Sequence, residues 1–186
     1  MQAILKKLEG GDRRSIGRSN EVVAEVLADP GLFGALFSGL TSDNPLLRMR
    51  SADAVEKITS RHPEYLLPYK AVLVEQIARI DQQEVRWHVA QMFSRLEWDR
   101  TERLQVLDII LEYFNDRSSI VRTFAMQALA DLAQQAPELR PAALLHLQEL
   151  TATGTPAMKA RGRMLLAEMK RKADRPIRAR RNRRAG

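Results

Sequence analysis

The side chains best spaced to act together are four cations. Arg48, Arg86, Arg122 and Lys159 each follow an aliphatic residue, Leu47, Val85, Val121 and Met158, at intervals of 38, 36 and 37 residues. If the chain repeats a structural unit, equal positions stack and these charges form a row. Such a row can track phosphates or carboxylates. It can equally be a structural ladder, each cation pairing with an acceptor at the adjacent turn, such as Asp43, Asp81 or Asp116. A second group is aromatic. Trp87 and Trp98 lie eleven residues apart with Gln91 between them. If one helix runs through Trp98, both indoles share an azimuth away from the apolar stripe. Alternatively Asp99 and Glu102 open a new helix, and Trp98 closes the end of the preceding one. The three histidines, His62, His88 and His146, lack close metal-ligand spacing. Gly10-Gly11 is an isolated turn, not a phosphate loop. Nothing places Ser, His and Asp as a triad. Neither a metal nor a cofactor is expected.

The elements that carry these residues follow from hydrophobic periodicity. With the aliphatic residue as position zero, offsets four, eight and eleven read Ser51, Val55, Ile58 in the first copy and Val89, Phe93, Leu96 in the second. They read Ala125, Leu129, Leu132 in the third and Gly162, Leu166, Met169 in the fourth. These offsets fall on one face of an α-helix. Small residues at offset four let a neighbouring helix approach. Each series follows a turn-forming stretch: Ser42 to Pro45, Asp81 to Gln83, Asn115 to Ser119 and Thr153 to Pro156. Their Asp, Asn, Ser and Thr side chains suit helix N-caps, and Pro45 and Pro156 suit the first turn. Between the series, Leu66 to Ile80, Thr101 to Phe114 and Pro141 to Leu150 carry aliphatic residues at helical spacing, and Gly31 to Leu40 precedes the first copy. Each period is therefore a helix pair. Neither helix can bury its apolar stripe alone, whereas stacked pairs form one continuous core.

This pattern resembles HEAT repeats, whose second helix opens with an acidic or polar residue, then Val-Arg, then Ala and Leu at these offsets. Asp81 to Leu96 and Asp116 to Leu132 match best, and the resemblance covers roughly residues 30 to 170. The expected fold is all-α: an α-solenoid of about four to five stacked antiparallel helix pairs over residues 1–169. Repeats are expected near 30–60, 63–97, 99–134 and 137–169. A partial unit is expected near 12–29, on Asp12, Ile16, Asn20 and Leu27, with Gly17 in the place of the cation. In HEAT-like arrays the second helices line the concave surface. The resemblance thus implies a concave face bearing Met49, Arg50, Trp87, His88, Gln91, Trp98, Phe124 and Arg161, a composition typical of binding hot spots. The competing reading has Trp87 and Phe124 fill gaps between helices. Some HEAT-like proteins are alkylpurine DNA glycosylases with a carboxylate one turn beyond a Trp. Here Gln91 stands four residues past Trp87, and Asp53 in the preceding copy follows Met49, which weighs against that chemistry.

Composition bounds the rest. The chain has 186 residues, 45% of them hydrophobic, no cysteine and a formal charge of +7. Disulfides and thiolate metal sites are excluded. No apolar run is long enough for a membrane span, and Ala3-Ile4-Leu5 is too short for a secretory signal, so a soluble cytoplasmic protein is expected. Residues 170–186 hold nine cations against the single acid Asp174, which leaves the array near neutral. This basic segment has few apolar residues beyond Ala173 and is expected to be disordered. Its Arg175, Arg178, Arg180, Arg181, Arg183 and Arg184 suit phosphate contacts. The functional expectation is a non-enzymatic scaffold that grips a protein or peptide partner in its concave face. The alternatives are a nucleic-acid-binding protein working through the basic segment and, more remotely, a glycosylase.

Overall fold

Helix starts are built by the turn residues. Asn44 accepts hydrogen bonds from the amides of Leu46 and Leu47 at 3.0 and 3.4 Å, with Pro45 in the first turn. Asp99 accepts from Thr101 and Glu102, and Glu102 reciprocates to the Asp99 amide, a complete capping box. Thr155 accepts from Met158 at 3.4 Å. Gln82 and Ser118 make no side-chain cap; Asp116 instead braces the loop by accepting from the Ser118 amide. These bonds satisfy donors that a helix start otherwise leaves unpaired.

The computed structural model describes the backbone of residues 3–12 and 14–182, and side chains as far as Lys172. Among the described residues there are ten α-helices, packed against one another, and no strand. They are α1 (Ala3–Lys6), α2 (Ser19–Ala28), α3 (Phe33–Ser38), α4 (Pro45–Thr59), α5 (Lys70–Glu75), α6 (Gln83–Phe93), α7 (Arg100–Tyr113), α8 (Ser119–Gln135), α9 (Arg140–Thr153) and α10 (Pro156–Asn182). Short 3₁₀ turns flank α3 and α5 and precede α9. Helices α2, α4, α6, α8 and α10 each pack against the next. Each of the intervening segments, α3, the stretch 63–79, α7 and α9, packs against a member of that row.

The four aliphatic residues that open the repeated series are buried, as are Val89, Phe93, Ala125 and Leu129. One apolar core runs from Ile4 to Met169. Tyr113, fully buried, donates from its hydroxyl to the carbonyl of Ala78 at 2.8 Å and lies under the guanidinium of Arg86.

One expectation is corrected. The N-terminal unit buries Ser19, Val22 and Val26 of α2, whereas Ile16 and Asn20 are exposed. The reason is Gly17, whose φ of +56° breaks the chain before the helix starts. Helix α10 runs on to Asn182, into the basic segment. Among the described residues no helix is long and apolar enough to cross a membrane.

Candidate functional site

The row of second-helix residues divides into a sealed part and an accessible part. The sealed part centres on Arg50, 2% exposed. It donates from Nε to the Ser15 carbonyl (3.1 Å), from Nη1 to those of Leu8 (2.8 Å) and Gly10 (2.6 Å), and from Nη2 to that of Asp12 (3.1 Å). The loop closes around the guanidinium through left-handed turns at Gly10, Gly11 and Gly17. A Cβ at Gly17 would stand 2.7 Å from Arg50 Cζ, so glycine is required there for space as well as for φ. Met49 is also buried, at 9% exposure. Arg50 and Met49 are therefore not on an open face. The N-terminal loop covers the helix that bears them, and this return from about 40 residues away leaves no local trace in the sequence.

Trp98 is corrected as well. Helix α6 ends at Phe93, and the indole folds back so that Nε1 donates to the Phe93 carbonyl at 3.0 Å, an acceptor the helix end leaves unpaired. It is 3% exposed, edge-on to the Phe93 ring, with the Lys70 ammonium 4.8 Å from its centroid. Trp98 therefore closes α6 instead of sharing a face with Trp87.

Accessible side chains remain on α6, α8 and α10. Trp87, Gln91, Phe124 and Arg161 are all half-buried, and the two aromatic rings pack partly on the core. Gln91 Nε2 donates to the Trp87 carbonyl at 3.2 Å. Arg161 Nη1 donates to Gln127 Oε1 at 3.2 Å, and Gln127 Nε2 donates in turn to the Asp131 carboxylate at 3.0 and 3.1 Å. The preceding carboxylate on the row, Asp53, is occupied: Ser19 Oγ and Lys57 Nζ donate to it at 2.5 and 2.7 Å. Beside it, Arg95 reaches back to α4, donating to the Glu56 carbonyl (2.6 Å) and Thr59 Oγ1 (2.9 Å) and pairing with the Glu56 carboxylate. The Glu56–Arg95 pair escapes sequence reading, although two opposite charges about one period apart were its available signal.

His88 is the odd member of the row. It is half-buried, and its Nδ1, shut off from solvent, has no hydrogen-bond partner. Burial pushes its pKa down from 6.5 to about 4, only partly countered by the Asp53 and Glu56 carboxylates and reinforced by Lys57 and Arg95. The folded state thus holds His88 neutral, while the unfolded chain takes up a proton near its ordinary pKa. The stabilisation is present above pH 6.5 and is lost as pH falls toward 4, on the order of 3 kcal/mol in all. Urea midpoints at several pH values check this: the wild type loses more stability across that window than His88→Leu. Parallel curves for the two proteins would show that His88 does not titrate as stated.

Two cations of the basic ladder, Arg48 and Arg86, are tied to neighbouring turns. Arg86 pairs with Asp116 at 2.7 Å and Asp81 at 3.2 Å, and donates to the Ile80 carbonyl. Arg48 bonds Gln82 and the Ser42 carbonyl at 2.9 and 2.6 Å, not Asp43, which is exposed. Arg122 has a buried Nε without a partner, since the following turn, Thr153-Gly154-Thr155, offers no carboxylate. Lys159 is half-buried. The side chains of Arg175, Arg178, Arg180 and Arg181 lie outside the described residues, as do Arg183 and Arg184 entirely. Among the described residues no three His, Asp or Glu side chains are grouped so as to share a metal ion. No family model, curated protein or solved structure matches the chain.

Proposed function

We propose that the chain is a HEAT-type α-solenoid acting as a non-enzymatic adaptor, most simply in the cytoplasm. It grips a helix or extended peptide of a partner protein on the concave face of α6, α8 and α10. The observation that carries this reading is the half-burial of Trp87 and Phe124 on successive packed helices, bordered by Gln91 and Arg161. Large aromatic side chains with one face on the core and the other accessible are the usual anchors of protein interfaces, and Arg is their common companion. The glycosylase reading is disfavoured by Gln91 in the carboxylate's place, and by an Asp53 already bound to Ser19 and Lys57.

The test is a matched pair of baits, wild type and Trp87→Ala, each used to capture proteins from cell extract, followed by affinity measurement for each captured protein. The expected loss is about 2 kcal/mol or more, roughly thirtyfold in Kd, with a small change in denaturation midpoint. A large stability loss with unchanged affinity would make Trp87 a packing residue and move the binding surface elsewhere.

A further inference from the structure

The far end of the helix row leaves open an apolar surface that is covered at every earlier step. Eight residues beyond each aliphatic–basic pair, Val55, Phe93 and Leu129 are at most 2% exposed. Leu166 holds the same place on α10 and is only half-buried. It lines a cavity of about 380 Å³ with Leu144, Gln148, Met169, Arg140 and Lys170. Helices α9 and α10 also bear Leu145 and Met164, each 65% exposed.

The molecule's own junctions indicate what such a surface accepts. At the start of α5, Lys70 pairs with Glu102 of α7. On α7, Arg103 pairs with Glu138, just before α9, at 3.0 Å. Lys70, Arg103 and Arg140 follow one another at intervals of 33 and 37 residues. Arg140 is therefore the next cation of this series, yet among the described residues no carboxylate pairs with it. Its guanidinium donates to the Met169 carbonyl instead. Among the described residues, both charged side chains of the cavity, Arg140 and Lys170, are cations, and no acidic residue lines it. An adjoining cavity of about 260 Å³ shares Arg140 and Met169 and adds Lys172, which is already paired with Glu168 at 2.7 Å.

We propose that this end surface docks an amphipathic helix of another protein that carries carboxylates beside its apolar stripe. The apolar side chains fill the cavity against Leu144 and Leu166. The carboxylates meet Arg140 and Lys170, as Glu102 and Glu138 meet Lys70 and Arg103 at the inner junctions. The surface is separate from that of Trp87, and the two stand or fall independently.

The probe is a labelled synthetic peptide of about 18 residues, long enough to form a helix, with leucines on one face flanked by glutamates. A second peptide carries lysine in place of glutamate. Fluorescence anisotropy with the full chain is expected to show binding of the acidic peptide only. Leu166→Asp should weaken it about tenfold or more, and Lys170→Glu, at an exposed position whose change spares the fold, by several-fold. Trp87→Ala should leave it unchanged. Equal binding of both peptides overturns the proposal, as does no binding of the acidic one. So does an affinity that survives Lys170→Glu, or one that falls with Trp87→Ala instead. Sedimentation supplies the remaining arm: self-association of the wild type that Lys170→Glu abolishes would assign the surface to a second copy and overturn the heterologous partner.

Discussion

Phe93→Ala lowers the stability of the chain by about 3–5 kcal/mol, the usual loss on deleting a core aromatic side chain. The ring is 2% exposed and closes α6. Trp98 stands edge-on to it at 5.7 Å and is tied to the Phe93 carbonyl by its indole N–H. The truncation therefore opens a void and also loosens the indole that caps the helix. Helices α6 and α8 pack closely, with Val89, Ala125 and Leu129 buried in the same core, so the void has little room to collapse. Such a loss is a large share of the 5–15 kcal/mol typical of a domain. Denaturant midpoints measure it, with Phe93→Leu as a milder control. An unchanged midpoint for the alanine variant would show that α6 packs in another register.

Arg50→Ala is expected to cost about 3 kcal/mol or more, and to cost it locally. The guanidinium makes four hydrogen bonds to main-chain carbonyls between residues 8 and 15. Bonds from a charged donor are worth more than neutral ones, and removing the donor leaves acceptors that only water can reclaim. Lysine cannot replace it, because a single ammonium with three donors cannot reach four acceptors spread around a planar fork. The loosened segment includes α1, whose Ile4 and Leu5, with nearby Leu8, are buried in the core. Hydrogen exchange should show fast exchange over residues 3–18 while α6 and α8 stay protected. Uniformly faster exchange along the whole chain would refute the local role.

What could be read from the sequence was the part governed by short-range pattern. The interval between Leu47, Val85, Val121 and Met158 located the four packed helices, because buried positions on a helix recur with its own period. Asn44, Asp99 and Thr155 announced helix starts, because a cap acts within three residues. Trp98 shows the limit: its spacing from Trp87 suggested one face, while the Asp99–Glu102 capping box already marked a break. Arg50 and His88 could not be read at all. Their surroundings are assembled from other helices and from a returning loop, and residue type alone does not reveal whether offset three is covered. The open surface at Leu166 was hidden for the same reason, since its sequence position matches those of the buried Val55, Phe93 and Leu129.

The contacts of Arg50 also set what the N-terminal loop can tolerate. A cation that grips only carbonyl oxygens is blind to the side chains attached to them. Arg14 can change identity without altering the grip, whereas the Asp12 and Ser15 side chains also shape the loop, accepting from the amides of Arg14 at 2.9 Å and Gly17 at 3.0 Å. Inserting or deleting one residue would shift the oxygens out of reach, and a side chain at Gly17 would collide with the guanidinium. The closure therefore measures length and curvature, and constrains composition only where a side chain or its absence shapes the turn.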